Sequence, residues 1–282
     1  MSLKVLVIGA SGFLGGSILR SGDPRFEFIG PARSVCDITD AASVRETFDA
    51  ARPKIVVLCA ALADIDRCEK HPGVAHAINV EGAKTVASEC ARTGARLLFT
   101  SSGAVFDGTA EAYHESDPTH PLSVYGKTKA AAEEAVRELV PEAAIVRLSL
   151  VLGFSPHGGT NALLDKLHSA LQQGSAVRAP ADEYRNAIDA GTLTQWMLDL
   201  APEATGIFHL GSSDAISRYQ MVRKLAVSMG YSADLVLPAD SSPHRAPRGR
   251  RHMLVPEKIR QYSRVPVPTS LQTIERCIHV NA

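Results

Sequence analysis

The sequence predicts a doubly wound α/β fold: a parallel sheet flanked by helices, with a smaller α/β part toward the C-terminus. Three observations predict it. The chain opens on a short β-rich apolar run, Leu3-Lys4-Val5-Leu6-Val7-Ile8, that turns through glycines straight into a helix. Short apolar runs of this kind then alternate with amphipathic stretches of helical period, the β-α alternation that builds parallel sheets. One such run ends in Ser101-Ser102-Gly103, and open α/β sheets bind ligands beyond the carboxyl ends of their strands.

The first turn reads Gly9-Ala10-Ser11-Gly12-Phe13-Leu14-Gly15, and residues 16–20 continue as a helix. The spacing GxxGxxG is a variant of the dinucleotide fingerprint of the Rossmann fold. Its glycines let the backbone approach a pyrophosphate, which sits at a helix N-terminus. Gly9, Ser11, Gly12, Phe13, Leu14 and Gly15 are therefore assigned to a cofactor. Residues 26–30 form the second strand. NAD-binding domains often end this strand with an acid on the ribose 2′-hydroxyl. Here Gly30-Pro31-Ala32-Arg33-Ser34 has none, and Arg33 suits a 2′-phosphate, which favours NADP and leaves NAD open. Asp37 and Ile38 are placed beside the adenine; the other reading of Asp37 is a cap on the helix starting near Thr39.

Residues 41–51 read as a helix, and residues 54–61 as a buried strand whose end, Ala60-Ala61, faces the cofactor. Asp64, Asp66, Arg67, Glu69 and Lys70 read as a solvated helix start rather than a metal site. Residues 74–93 form a long amphipathic helix stopped by Gly94, and residues 96–100 the next strand. Ser102, at its carboxyl end, is placed to hydrogen-bond a substrate carbonyl. The polar loop 107–122 lies over the site. A helix over 121–139 carries Val124-Tyr125-Gly126-Lys127-Thr128-Lys129. Tyr125 and Lys129 share one face at this spacing. A lysine beside a tyrosine stabilises the phenolate and lowers the phenol's pKa, so that it exchanges a proton with a carbonyl oxygen near neutral pH. Ser102, Tyr125 and Lys129 are the expected catalytic group.

The whole chain sets bounds. Its 282 residues suit a main domain with a smaller addition. Thirty basic residues balance thirty acidic ones, which argues against a dedicated nucleic-acid binder. The five cysteines are scattered, without a CxxC pair, so neither a disulfide framework nor a zinc site is expected. No apolar run approaches a membrane span, and the N-terminus has no signal peptide. The expected location is the cytoplasm, with no bound metal; a homodimer is left open.

These motifs together resemble those of the extended short-chain dehydrogenases/reductases. The match rests on GASGFLG at 9–15, on Ser102-Gly103-Ala104-Val105 and on Tyr125-Gly126-Lys127-Thr128-Lys129. Within that group the chain is most similar to the dTDP-4-dehydrorhamnose reductase-like branch, through Val105-Phe106-Asp107-Gly108, Asp66-Arg67-Cys68-Glu69, Ala77-Ile78-Asn79-Val80 and Gly206-Ile207-Phe208-His209-Leu210. The resemblance implies reduction of a keto group on a nucleotide sugar, with Tyr125 and Lys129 also touching the cofactor and Lys129 holding its nicotinamide ribose. Gly103-Ala104 lacks the acid pair of the dehydratase branch, and Ser-Gly-Ala-Val is closer to sugar-nucleotide epimerases. An epimerase is thus the alternative, and a cofactor-binding regulatory subunit is the alternative of another class.

Residues 143–152 read as the sixth of about seven strands. The nucleotide part spans 1–153 with a return segment near 186–212; residues 154–185 and 213–282 form the substrate part. Helices are expected at 161–173, 192–200 and 217–229, with a strand at 206–211. The resemblance places Arg185 and Asn186 in the substrate pocket. Four arginines fall within residues 244–252, Arg248 among them, and either clamp a substrate pyrophosphate or form solvated loop surface.

Overall fold

A computed structural model of the chain describes residues 2–154, 163–241 and 246–279. The start of the helix expected at 161, the segment 155–159 and the pair His244-Arg245 lie outside the described residues.

The first strand, β1 (Leu3–Ile8), leads through the glycine turn into α1 (Phe13–Leu19). After β2 (Phe26–Ile29), Asp40 caps α2 (Ala41–Ala51) by accepting the Ala42 and Ser43 N–H groups. The fully buried β3 (Ile55–Leu58) follows. Asp64 caps α3 (Ile65–Lys70), the solvated helix start read from the sequence. Then α4 (Pro72–His76), a π-helical turn at Ala77–Glu81 and α5 (Gly82–Thr93) run on without a break until Gly94 ends them in the left-handed region. Next come β4 (Arg96–Ser102), α6 (Val124–Leu139) and β5 (Ala144–Leu148). The C-terminal half holds β6 (Val151–Leu152), α7 (Leu163–Gln172), β7 (Val177–Pro180), β8 (Tyr184–Arg185), β9 (Ile188–Asp189), α8 (Ala190–Leu200) and β10 (Gly206–Leu210). It closes with β11 (Ile216–Ser217), α9 (Arg218–Ser228), β12 (Val236–Ala239), β13 (Arg251–His252) and α10 (Ser270–His279).

Among the described residues the central sheet has six strands in the order β10-β5-β4-β3-β1-β2, every pair parallel. The chain steps from β1 to β2, then crosses back over β1 to β3 and proceeds to the far edge. The reversal at β1 is the topological switch point, where doubly wound sheets open a ligand crevice. About seven strands were expected. The six strands placed individually along the sequence account for the sheet, and no seventh joins it among the described residues. The expected strand 143–152 is also two: β5 belongs to the central sheet, whereas β6 pairs with β9.

Alternation along the strands fills both faces. Val5 and Val7 of β1 pack with Leu193, Trp196 and Met197 of α8 on one face. Leu6 and Ile8 pack with Phe48 of α2, Val86 of α5 and Val136 of α6 on the other. A third core joins Leu164, Leu167 and Leu171 of α7 to Met221 and Leu225 of α9 and Ile274 of α10. No helix among the described residues is long and apolar enough to cross a membrane.

Candidate active site

The first groove follows the switch point. Gly9 has φ +93°, and a Cβ there would stand 2.6 Å from the Ala60 nitrogen, so the turn after β1 lies directly against the end of β3. A Cβ on Gly15 would stand 2.4 Å from the Gly9 carbonyl oxygen, which makes Gly15 the residue that lets α1 pack on the turn. Gly9, Ser11, Gly12, Arg33, Asp37, Ile38, Ala60 and Ala61 line this groove. Arg33 is exposed and donates to Asp37 at 3.2 Å, while Asp37 also accepts the Thr39 N–H and hydroxyl. Asp37 thus lines the groove and caps its own turn, and Asp40 caps the helix. Two assigned residues point elsewhere. Leu14 packs into the core, and Phe13 stands under Gly153. Both follow from the helical period, which points successive residues of α1 in directions about 100° apart, so that not all of them face the groove.

Ser102, the last residue of β4, accepts the Ala104 N–H at 3.2 Å and so opens a short 3₁₀ turn. The first turn of α6 lands on that turn. Ser123 caps the helix through the Gly126 N–H, and Glu69 of α3 accepts the Val124 N–H at 2.7 Å. Gly126 makes the approach possible, since a Cβ there would stand 2.1 Å from the Ala104 carbonyl oxygen. Asn79 adds a tie by donating to Thr128 and to the Leu62 carbonyl. As a result the Tyr125 phenol is brought close enough to the Ser102 hydroxyl for the serine to favour its ionised form.

Lys129 is 2% exposed, with its ammonium 4.2 Å from the centre of the Phe99 ring. It acts electrostatically on Cys59, which lines the first groove. The expected lowering of the phenol's pKa by Lys129 is corrected here. Burial pushes Tyr125 up to about 12, and the nearby Ser102 hydroxyl opposes the rise. Desolvation is the largest cause, and the phenol is held protonated. Burial brings Lys129 itself down to about 8, against the pull of Glu133.

A second cleft opens beyond Ser102, lined by Gly103, Ser123, Ser149, Arg185, Arg218 and Arg248 among others. Arg248 donates to Asp66 of α3 at 2.9 Å, which straps the C-terminal segment across the cleft mouth. Arg185 gives its donors to the carbonyls of Tyr184, Gly249 and Arg250, and burial lowers it to about 10, with Arg218 and Arg248 adding to the fall. Arg218 donates to Glu183 at 3.4 Å. Arg248 Nη1 and Arg218 Nε are buried without a partner. Asn186 is not in this cleft. It is fully buried, donates to the Ser212 and Leu254 carbonyls and accepts the Leu254 N–H, so it pins the returning chain instead. Arg218 was missed by sequence reasoning, because an arginine after a helix-capping serine carries no signal of what it faces.

A family model described as the RmlD substrate binding domain matches residues 3–281. The chain belongs to the RmlD substrate-binding domain family. This RmlD-family chain is 30% identical over 258 residues to a dTDP-4-dehydrorhamnose reductase of Mycobacterium tuberculosis, covering 88% of this chain and 83% of that protein. It is 28% identical over 266 residues to methionine adenosyltransferase 2 subunit beta of Bos taurus, covering 85% of this chain and 76% of the other. Its fold matches a dTDP-4-dehydrorhamnose reductase of Bacillus anthracis solved in complex with NADP, with a TM-score of 0.92, 24% identity and coverage of 100% and 99%.

Proposed function

We propose that this chain is an NADP-dependent reductase of a keto group on a nucleotide sugar. The observation that carries it is the approach of Tyr125, on the first turn of α6, to Ser102 at the end of β4, with the buried Lys129 one helical turn further on. The groove at the switch point fits a dinucleotide. Gly9 and Gly12 line it without side chains, and Arg33 stands at its rim for a 2′-phosphate. A bound nicotinamide supplies the hydride. Tyr125, kept protonated by burial, gives its proton to the carbonyl oxygen. Ser102 holds that oxygen in line with the phenol. The buried Lys129 ammonium holds the nicotinamide ribose and stabilises the phenolate left behind. Arg218 and Arg248, on the wall of the second cleft, take the substrate diphosphate, with Arg185 fixing the loop behind them. The five free cysteines suit a reducing compartment, and the cytoplasm is the proposed location.

The test is NADPH consumption against a panel of nucleotide sugars bearing a ketone. Wild type oxidises NADPH stoichiometrically with one of them. Tyr125→Phe loses about 10²-fold or more in turnover, the worth of general acid catalysis; a variant within threefold of wild type rejects the role. A second reading, a regulatory subunit, is favoured by the likeness to methionine adenosyltransferase 2 subunit beta. It predicts NADP binding without turnover on any member of the panel.

A further inference from the structure

We propose that Glu133 is a positioning residue for this reaction: clamped between Ser101 and Arg147, it fixes the face of α6 that carries Tyr125 and Lys129 against the end of β4. The proposal rests on the roles of Tyr125 and Lys129 given above.

Glu133 is 4% exposed and stands one turn beyond Lys129 on the same helix face. Its Oε1 accepts the Ser101 hydroxyl and Arg147 Nε, the latter at 3.0 Å, and its Oε2 accepts Arg147 Nη2 at 2.7 Å. Ser101 and Arg147 face each other across β4 and β5, and the residue after Ser101 is Ser102. Arg147 also lies 5.0 Å from the Phe106 ring centre. The clamp therefore joins the helix of the phenol and ammonium to the strand of the serine. A buried ion pair adds little to stability, because desolvation offsets its attraction, and apolar side chains often replace it without loss. Its place directly behind the site is what function explains.

Glu133 has an electrostatic effect too. It is the largest group holding the desolvated Lys129 in its charged form. Cys59, from the end of β3, faces it as a neutral thiol, held protonated by burial. The other elements against α6 offer the Phe99 ring from β4, the neutral Asn79 bound to Thr128, and Cys68 and Glu69 from α3, with Glu69 on the Val124 N–H.

The test compares Glu133→Gln, the double variant Glu133→Gln/Arg147→Met and Tyr125→Phe with wild type. Each is measured for thermal unfolding, for NADP binding by fluorescence between pH 6 and 10 as about the accessible range, and for turnover. With Glu133 gone, the loss of NADP binding at alkaline pH begins about one unit lower. The value of kcat falls about tenfold or more. Should Glu133→Gln not fold, the double variant, which leaves no unpaired Arg147 charge, decides. Folded variants with the wild-type pH profile and kcat overturn the proposal. If Tyr125→Phe keeps its turnover, the catalytic reading has failed instead.

Discussion

Gly126→Ala tests how Tyr125 reaches Ser102. The new Cβ would stand 2.1 Å from the Ala104 carbonyl oxygen and 3.0 Å from its carbon, where ordinary contact begins at 3.4 Å. Both atoms are backbone, so no side chain can swing aside. The first turn of α6 must move by more than an ångström, and Tyr125 moves with it. Helix propensity works the other way, since Gly→Ala in a helix interior gains about 1 kcal/mol. The overlap wins because it is backbone against backbone, and the Ser123 cap and the Glu69 bond to Val124 are strained together. A misplacement of about an ångström costs about 10²-fold in rate. The assay is steady-state NADPH oxidation together with thermal unfolding, with Lys127→Ala on the exposed side of the same turn as control. The variant is expected to lose about 10²-fold in kcat and to melt below wild type. A Gly126→Ala protein with wild-type kcat refutes this placement of α6.

Other outcomes follow from the same geometry. With NADPH as the varied reactant, kcat/KM is flat below pH 8 and falls above it, because Lys129 loses its charge near about 8 while Tyr125 stays protonated to about 12; a flat profile to about pH 10 contradicts this. Arg33→Ala weakens NADPH binding about tenfold, the low end for an exposed charge-assisted contact, and leaves NADH unchanged, which titration of both cofactors checks. His209 and His252 are buried and held neutral, both lowered to about 3 chiefly by desolvation, with Arg147 and Arg185 respectively adding to it. Their unfolded forms bind protons below about pH 6.5, so stability is lost as pH falls through that range, by about 2 kcal/mol per histidine at pH 5. Denaturant unfolding at pH 7 and pH 5 measures it.

The parts legible in the sequence are those set by local chemistry. Strand period, glycine spacing and helix caps located β1, the turn at Gly9, α6 and the serine at the end of β4. The exact strand count was not legible, because whether a stretch joins the sheet depends on neighbours far along the chain. The break between β5 and β6 was hidden in one mostly apolar run over 143–152, whose polar members are Arg147 and Ser149. Side-chain direction was the other gap. Asn186 looked like a polar residue near a pocket, yet it spends its amide on the backbone of Ser212 and Leu254. The phenol's pKa was misjudged because spacing on a helix gives proximity to a charge but not the depth of burial.

The central claim is that hydride reaches a sugar carbonyl while this chain's own phenol supplies the proton. The most direct measurement is isotopic: deuterated NADPH is incubated with the protein and a dTDP-linked 4-keto sugar, and the product is analysed by mass and NMR. The expected product carries one deuterium on the former carbonyl carbon and forms with one equivalent of NADP, and Tyr125→Phe slows the formation of both about 10²-fold or more. An epimerised sugar with no net consumption of NADPH, or a cofactor bound and never turned over, contradicts it.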